Sequence, residues 1–199
     1  MNIMSQNIEI EFKNMLTQEE YDRFLKEFNI EQGQIFSQDN FYFDTPEFSL
    51  KRVGAALRIR EKNGAYEMTL KQPAIEGLLE TNESLSNEEA SMALNHNCLP
   101  YARISQLIEK LGVPFSRITY FGTLTTNRVE FPYRNGLLVL DHSIYLNNED
   151  FELEFEVKNY QAGQIVFREI LTQFNVPERK TENKIKRFYS QKYRQSDFN

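Results

Sequence analysis

The chain contains no tryptophan, one cysteine, two histidines, six prolines and eight glycines in 199 residues. A lone Cys98 excludes a disulfide framework, and with only His96 and His142 to join it a Cys/His zinc cluster is excluded too. Sparse Gly and Pro beside 40% hydrophobic residues argue against a disordered or fibrous chain. No apolar run approaches bilayer-spanning length and the start carries no basic-then-apolar leader, so a soluble cytoplasmic protein is expected. Positive charge is not in surplus either. A formal net charge of -6 does not invite nucleic acid or an anionic membrane, so any anion site must be a local concentration of Lys and Arg. There is no Walker A loop and no Gly-x-Ser-x-Gly, which removes support for the obvious rival hydrolases. The length suits one domain, without internal repeat or linker.

What the chain has is alternation. In Ile8-Glu9-Ile10-Glu11-Phe12-Lys13 the charged residues share one strand face and the apolar residues the other. The same period recurs in Phe41-Tyr42-Phe43-Asp44, in Ala55 to Arg60 with Arg58 and Arg60 on one side, and in Tyr66 to Lys71, whose polar face carries Glu67, Thr69 and Lys71. It returns from Thr119 to Glu130 with Thr126, Arg128 and Glu130 together, in Leu137 to Asp141, and in Phe151 to Val157 with Glu152, Glu154 and Glu156 on one face. Asn63-Gly64 and Asn135-Gly136 predict hairpin turns. Glu80 and Glu83 fall in a stretch that reads as irregular. Helices are predicted after Thr17, after Ser86, around Ile104 to Leu111, from about Ala162 to Phe174 with Ile165, Val166, Ile170 and Leu171 as the apolar side, and from Thr181 to Tyr193 with Lys184 beside Ile185, Phe188 and Tyr189.

Helices packed on the apolar strand faces leave the charged faces to look at solvent or into a closed barrel. Two features favour closure. The charges are segregated strand by strand instead of mixed, and a closed antiparallel barrel leaves no edges to protect. Closure gathers like charges: two cations about 8 Å apart at an effective dielectric near 20 repel by about 2 kcal/mol. Such an interior requires carboxylate neighbours, water and a compact polyanion or a metal-bound polyanion.

Glu9-x-Glu11-x-Lys13, Leu57-Arg58-Ile59-Arg60, Thr69-Leu70-Lys71, Arg128, Asp141 and the alternating glutamates 152 to 156, in that order, resemble the CYTH superfamily, the triphosphate tunnel metalloenzymes. The similarity runs from about Ile8 to Phe188 and looks closest to small bacterial members of the Bacillus type. The resemblance implies an α+β fold, a closed eight-stranded antiparallel barrel forming a tunnel, surrounded by helices. By position it implies that Lys13, Arg58, Arg60, Lys71, Arg128 and Lys184 grip phosphate oxygens, with Glu11, Lys13 and Lys71 the catalytic set. Glu9, Glu11, Glu154 and Glu156 would hold Mg2+ or Mn2+ with Asp141 close by; Glu152 and Tyr42 are further candidates, since Glu152-Glu154 also fits the family's Glu-x-Glu.

Such chemistry needs positioning and charge neutralisation above all. Guanidinium groups match phosphate oxygens in pairs, and carboxylates are hard ligands for Mg2+ or Mn2+. The expected activity is metal-dependent hydrolysis of inorganic triphosphate or a small organic triphosphate, by a monomer or homodimer. The alternatives are a class IV adenylate cyclase, which needs an adenosine pocket that no residue pattern here declares, and a non-catalytic binder of polyphosphate or nucleotide.

Overall fold

The computed structural model describes residues 4–75 and 77–196. Eight strands, β1 (Met4–Leu16), β2 (Phe36–Asp44), β3 (Ala56–Lys62), β4 (Ala65–Pro73), β5 (Leu78–Leu85), β6 (Thr119–Tyr133), β7 (Gly136–Tyr145) and β8 (Asn148–Val157), close into an antiparallel barrel in the order β1-β5-β4-β3-β2-β6-β7-β8. The helices are α1 (Gln18–Glu27), the single turn α2 (Ser49–Arg52), α3 (Asn87–His96), α4 (Arg103–Lys110), α5 (Tyr160–Gln173) and α6 (Lys184–Ser196). None of the described helices is long and apolar enough to cross a membrane. By contacts the chain divides into two compact halves: the start of β1 through Ile8 with Gln38–Leu124, and Glu9–Ser37 with the segment from Thr125 onward.

In the first half, β3 and β4 turn at Asn63 and Gly64 with φ of 55° and 77°, the left-handed pair that an Asn-Gly hairpin uses. Leu57, Ile59, Met68 and Leu70 point to one side and pack with Phe43 against Ala90 and Ala93 of α3 and Ile104 and Ile108 of α4. Each of these fully buried large side chains contributes about 1.5–3 kcal/mol of transfer free energy. Helix α3 starts at a reciprocal cap, Ser86 accepting from Glu89 N and Glu89 from Ser86 N. The stretch expected to be irregular is a regular strand, β5, paired with β4 from Tyr66–Leu85 to Pro73–Leu78. Its polar residues lie on both faces, which hides the alternation. Glu80 and Asn82 share the face of Lys71 and Thr69, while Thr81 and Glu83 face the helices, where the Glu83 carboxylate accepts the amide of Ile104 at 3.1 Å and so anchors the start of α4.

The second half is built alike. Thr17 and Glu20 cap α1 reciprocally, and Phe24 of α1 lies 4.1 Å from the Phe174 ring beyond α5, over Leu138, Leu140, Leu153 and Phe155 of the barrel. Helix α5 begins at Tyr160, two residues before the expected start, because Asn159 accepts the Ala162 amide at 2.9 Å. Its buried stripe is Gly163, Phe167, Ile170 and Leu171; Ile165, expected inside, is 62% exposed. Gly163 sets that register, since a Cβ there would come within 2.5 Å of the Val157 side chain. The second hairpin turns at Arg134 (φ 49°) and Asn135, one residue earlier than Asn-Gly predicts. Gly136 is already in β7 opposite Tyr133, and a Cβ on it would strike the Phe155 ring and the Glu156 carbonyl. Ile8, on the expected apolar face of β1, is 50% exposed.

Helix α6 is delivered by a tethered loop. Asn14, wholly buried on β1, donates to the carbonyls of Met15 and Pro177 and accepts the amide of Arg179 at 2.6 Å. The Arg179 guanidinium reaches back to the Met15 carbonyl and both oxygens of Glu20, and the Thr181 hydroxyl takes the Met15 amide. Asn14→Ala strands several buried backbone groups at about 1–3 kcal/mol each. Urea unfolding should show a loss of about 2–4 kcal/mol; a loss below about 0.5 kcal/mol would show that the loop is held elsewhere.

Candidate functional site

Strand pairing decides which side chains share a face, because directly paired residues point the same way. In the second half the register sets Lys13 against Glu154, Glu11 against Glu156, Asp141 against Glu152 and Arg128 against Asp141. All lie on the barrel's inner face, opposite the apolar side chains that pack under α1 and α5. Arg128 lays its fork on Asp141, Nε to Oδ1 at 2.7 Å and Nη2 to Oδ2 at 2.6 Å, and also donates to Glu154 at 2.8 Å. Lys184 from α6 inserts its ammonium among Asp141 at 2.8 Å, Glu152 at 3.0 Å and Glu154 at 2.5 Å. Arg187, one turn further, binds Asp150 and, at 2.5 Å, the same Glu152 oxygen that Lys184 approaches.

Burial alone would neutralise such groups; their partners reverse that for most of them. Burial pushes Glu154 up, but Lys184, Arg128 and Lys13 hold it well below the usual carboxylate range. Asp141 is lowered against its burial by Arg128 and Lys184. Lys184, drawn down by burial, is held well above its ordinary value by Asp141, Glu152 and Glu154. Lys13 is raised on balance: burial pulls down, Glu11 and Glu154 push up, and its ammonium is paired with the Glu11 carboxylate. Burial keeps Glu152 raised despite Lys184 and Arg187. Glu156 is pushed up to about 7 by burial and by Glu9.

The first half carries its own set. Arg58 and Arg60 face Thr69 and Glu67 across β3–β4, on the side opposite Leu57 and Ile59. Arg60 donates through Nε to Asn40 at 3.2 Å, and Lys71 pairs with Glu80 at 2.5 Å. Arg58 differs: among the described residues no carboxylate or other acceptor meets its guanidinium, and its Nε is buried without a partner. Tyr42 faces Arg58 across β2–β3, is 3% exposed and stacks on Phe121 at 6.1 Å, the geometry of a packed aromatic.

The predicted residues therefore lie on the inner face in both halves, but their engagement differs from the expected roles. Asp141 and Glu154, expected to hold metal, are taken up by Arg128 and Lys184. Among the described residues, no three His, Cys, Asp or Glu side chains stand ready as a metal-holding group. The donor chemistry does fit a divalent cation at one place: Glu11 and Glu156 oppose each other directly across β1–β8 with Glu9 near enough to raise Glu156. Like charges in a cross-strand pair repel, and hard carboxylate oxygens are what Mg2+ or Mn2+ takes. Sequence reasoning missed Arg187 and Asp150. The signals were there: Arg187 lies three residues after Lys184 on one helix face, and Asp150 has the parity of Glu152, Glu154 and Glu156.

The sequence profile of the CYTH domain matches residues 7–189. A candidate triphosphatase, YjbK of Bacillus subtilis (strain 168), is 47% identical over 189 residues, 95% of this chain and 98% of that protein. Among solved structures, a candidate adenylate cyclase from Bacillus halodurans superposes with a TM-score of 0.90 at 42% identity, over 92% of this chain and 98% of that one. A candidate adenylyl cyclase from Hippeastrum, described as having a dominant triphosphatase activity, shares the fold at a TM-score of 0.73 and 22% identity, over 92% of this chain and 96% of its own. Profile and sequence identity agree, and the chain belongs to the CYTH family.

Proposed function

We propose that this chain is a divalent-metal-dependent hydrolase of triphosphate compounds, inorganic triphosphate or a small organic triphosphate, and that it binds the polyphosphate on the inner face of its barrel. The observation that carries this reading is Arg58, an inner-face guanidinium with no carboxylate beside it among the described residues. Arg58 is half-buried with its Nε shut off from water, and an anion coming to it would supply the acceptor that Nε lacks. The relative from Bacillus subtilis, described as a candidate triphosphatase, supports the choice of anion.

In the first half, Arg58, Arg60 and Lys71 are assigned to phosphate oxygens, the two guanidiniums by paired donation. In the second, Lys13 is assigned to phosphate and its pairing with Glu11 fixes where its ammonium sits. Glu9, Glu11 and Glu156 would hold Mg2+ or Mn2+. Bound there, a divalent cation would supply charge neutralisation and water activation. Lys184 and Arg128 act from within their carboxylate network, keeping a high positive charge at a fixed position so that little reorganisation is needed as the leaving group gains charge.

Purified protein with inorganic triphosphate and Mg2+ or Mn2+ should release phosphate, and EDTA should abolish the release. Cyclic AMP from ATP, or binding without turnover, would replace this reading with a cyclase or a binder. Glu11→Ala and Lys13→Ala should each abolish turnover and leave the fold intact by circular dichroism.

Arg58 and Lys184 should separate cleanly. Arg58→Ala should raise KM about tenfold or more, the loss of one charge-assisted pair, with stability unchanged. Lys184→Ala leaves three buried carboxylates short of a cation and should cost about 3–5 kcal/mol in chemical denaturation. Equal stability of the two variants would refute the assigned roles.

Glu156 predicts a pH effect. Its folded-state value near 7 lies above the ordinary carboxylate value, so its contribution to stability is present at acid pH and is lost as pH rises through about 7. Without metal, the wild type should lose melting temperature relative to Glu156→Gln between pH 5 and pH 8. Added Mg2+ should recover part of that loss at pH 8 in the wild type alone.

A further inference from the structure

Thr69 belongs to the Thr69-Leu70-Lys71 stretch, of which only the lysine has been given a role. It is 0% exposed, on the inner face of β4, and its hydroxyl has no hydrogen-bond partner. Directly across β3–β4 stands Arg58, whose Nε is likewise buried and unpartnered. These are neighbours in register, with Cβ atoms on the order of 5 Å apart. Neither packing nor strand propensity explains the hydroxyl, because valine has the same shape, prefers strands as strongly and strands no polar group.

Two facing orphan groups restrict what satisfies them. Arg Nε only donates, so the atom they share is an acceptor. The other polar groups of this row do not supply it: neither Asn82, across from Thr69 on β5, nor Tyr42, across from Arg58 on β2, hydrogen-bonds the Thr69 hydroxyl or Arg58 Nε. A cationic donor and a neutral hydroxyl close to the strand floor suit a small anionic oxygen better than a carbonyl. We propose that Thr69 Oγ and Arg58 Nε together form the seat of one non-bridging phosphate oxygen, with Thr69 the residue that fixes how deeply the polyphosphate settles. The inference rests on the triphosphate reading above and deepens it, adding a neutral donor to a grip otherwise made of charges.

A seat of this kind opposes stability to binding. With no ligand, the buried hydroxyl is unsatisfied and destabilises the protein; with ligand, it makes a charge-assisted hydrogen bond. Thr69→Val should therefore melt at the same temperature as the wild type or higher, while KM for inorganic triphosphate with Mg2+ rises about tenfold to a hundredfold and kcat stays within about twofold. Thr69→Ser should restore KM to within about threefold. An unchanged KM in Thr69→Val, or a fall in melting temperature alongside the rise in KM, would overturn the seat and leave the triphosphatase reading standing. If the wild type does not turn over triphosphate, the test passes to its melting temperature with inorganic triphosphate in EDTA. A rise in the wild type that Thr69→Val lacks supports the seat without hydrolysis; no rise in the wild type overturns both.

Discussion

Charge kept away from water must be neutralised where it lies, and that constraint shapes the second half of this protein. Asp141, Glu152 and Glu154 are all but removed from solvent, on strands whose other faces are buried under α1 and α5. The ionised forms of Asp141 and Glu154 are favoured because Arg128 is forked onto Asp141 and Lys184 sits against both, whereas burial keeps Glu152 raised. Removing one partner of such a group costs far more than the pair contributes net, so the network acts less as a stabiliser than as a specification of register. It fixes β6, β7 and β8 relative to one another, and α6 relative to them.

The first half meets the same constraint differently. Lys71 has Glu80 and Arg60 has Asn40, but among the described residues Arg58 Nε and the Thr69 hydroxyl have no hydrogen-bond partner. The second half thus compensates most of its charges internally, with Glu156 raised beside Glu9, while the first half keeps the Arg58 Nε in reserve.

Much of this was legible in the sequence because a strand writes its two faces as a period of two. Glu9 to Lys13, Arg58 and Arg60, and Glu152 to Glu156 announce an apolar outer and a charged inner face without reference to any partner strand. Capping was legible for the same local reason, as at Thr17 with Glu20 and Ser86 with Glu89. What escaped depends on tertiary partners. Residues 78–85 carry polar groups on both faces because Glu83 is needed on the helix side to hold α4, so periodicity fails where packing makes its own demand. Ile165 matches the helical stripe yet lies outside, since close approach of Gly163 to Val157 turns Phe167 and Ile170 inward instead. Nor could alternation reveal that Asp141 and Glu154 would be held by Arg128 and Lys184, because the ion pairing crosses strands and reaches a helix.

Lys184 comes 30 positions after Glu154 in the chain. During synthesis the strands bearing Asp141, Glu152 and Glu154 therefore emerge before the helix whose cations offset them. Until then the acids of β7 and β8 have only Arg128 and, from β1, Lys13 to set against them, and their inner wall is better left hydrated than collapsed. Full compensation of these acids waits for α6, so the last helix to be made completes the charge balance of strands made before it.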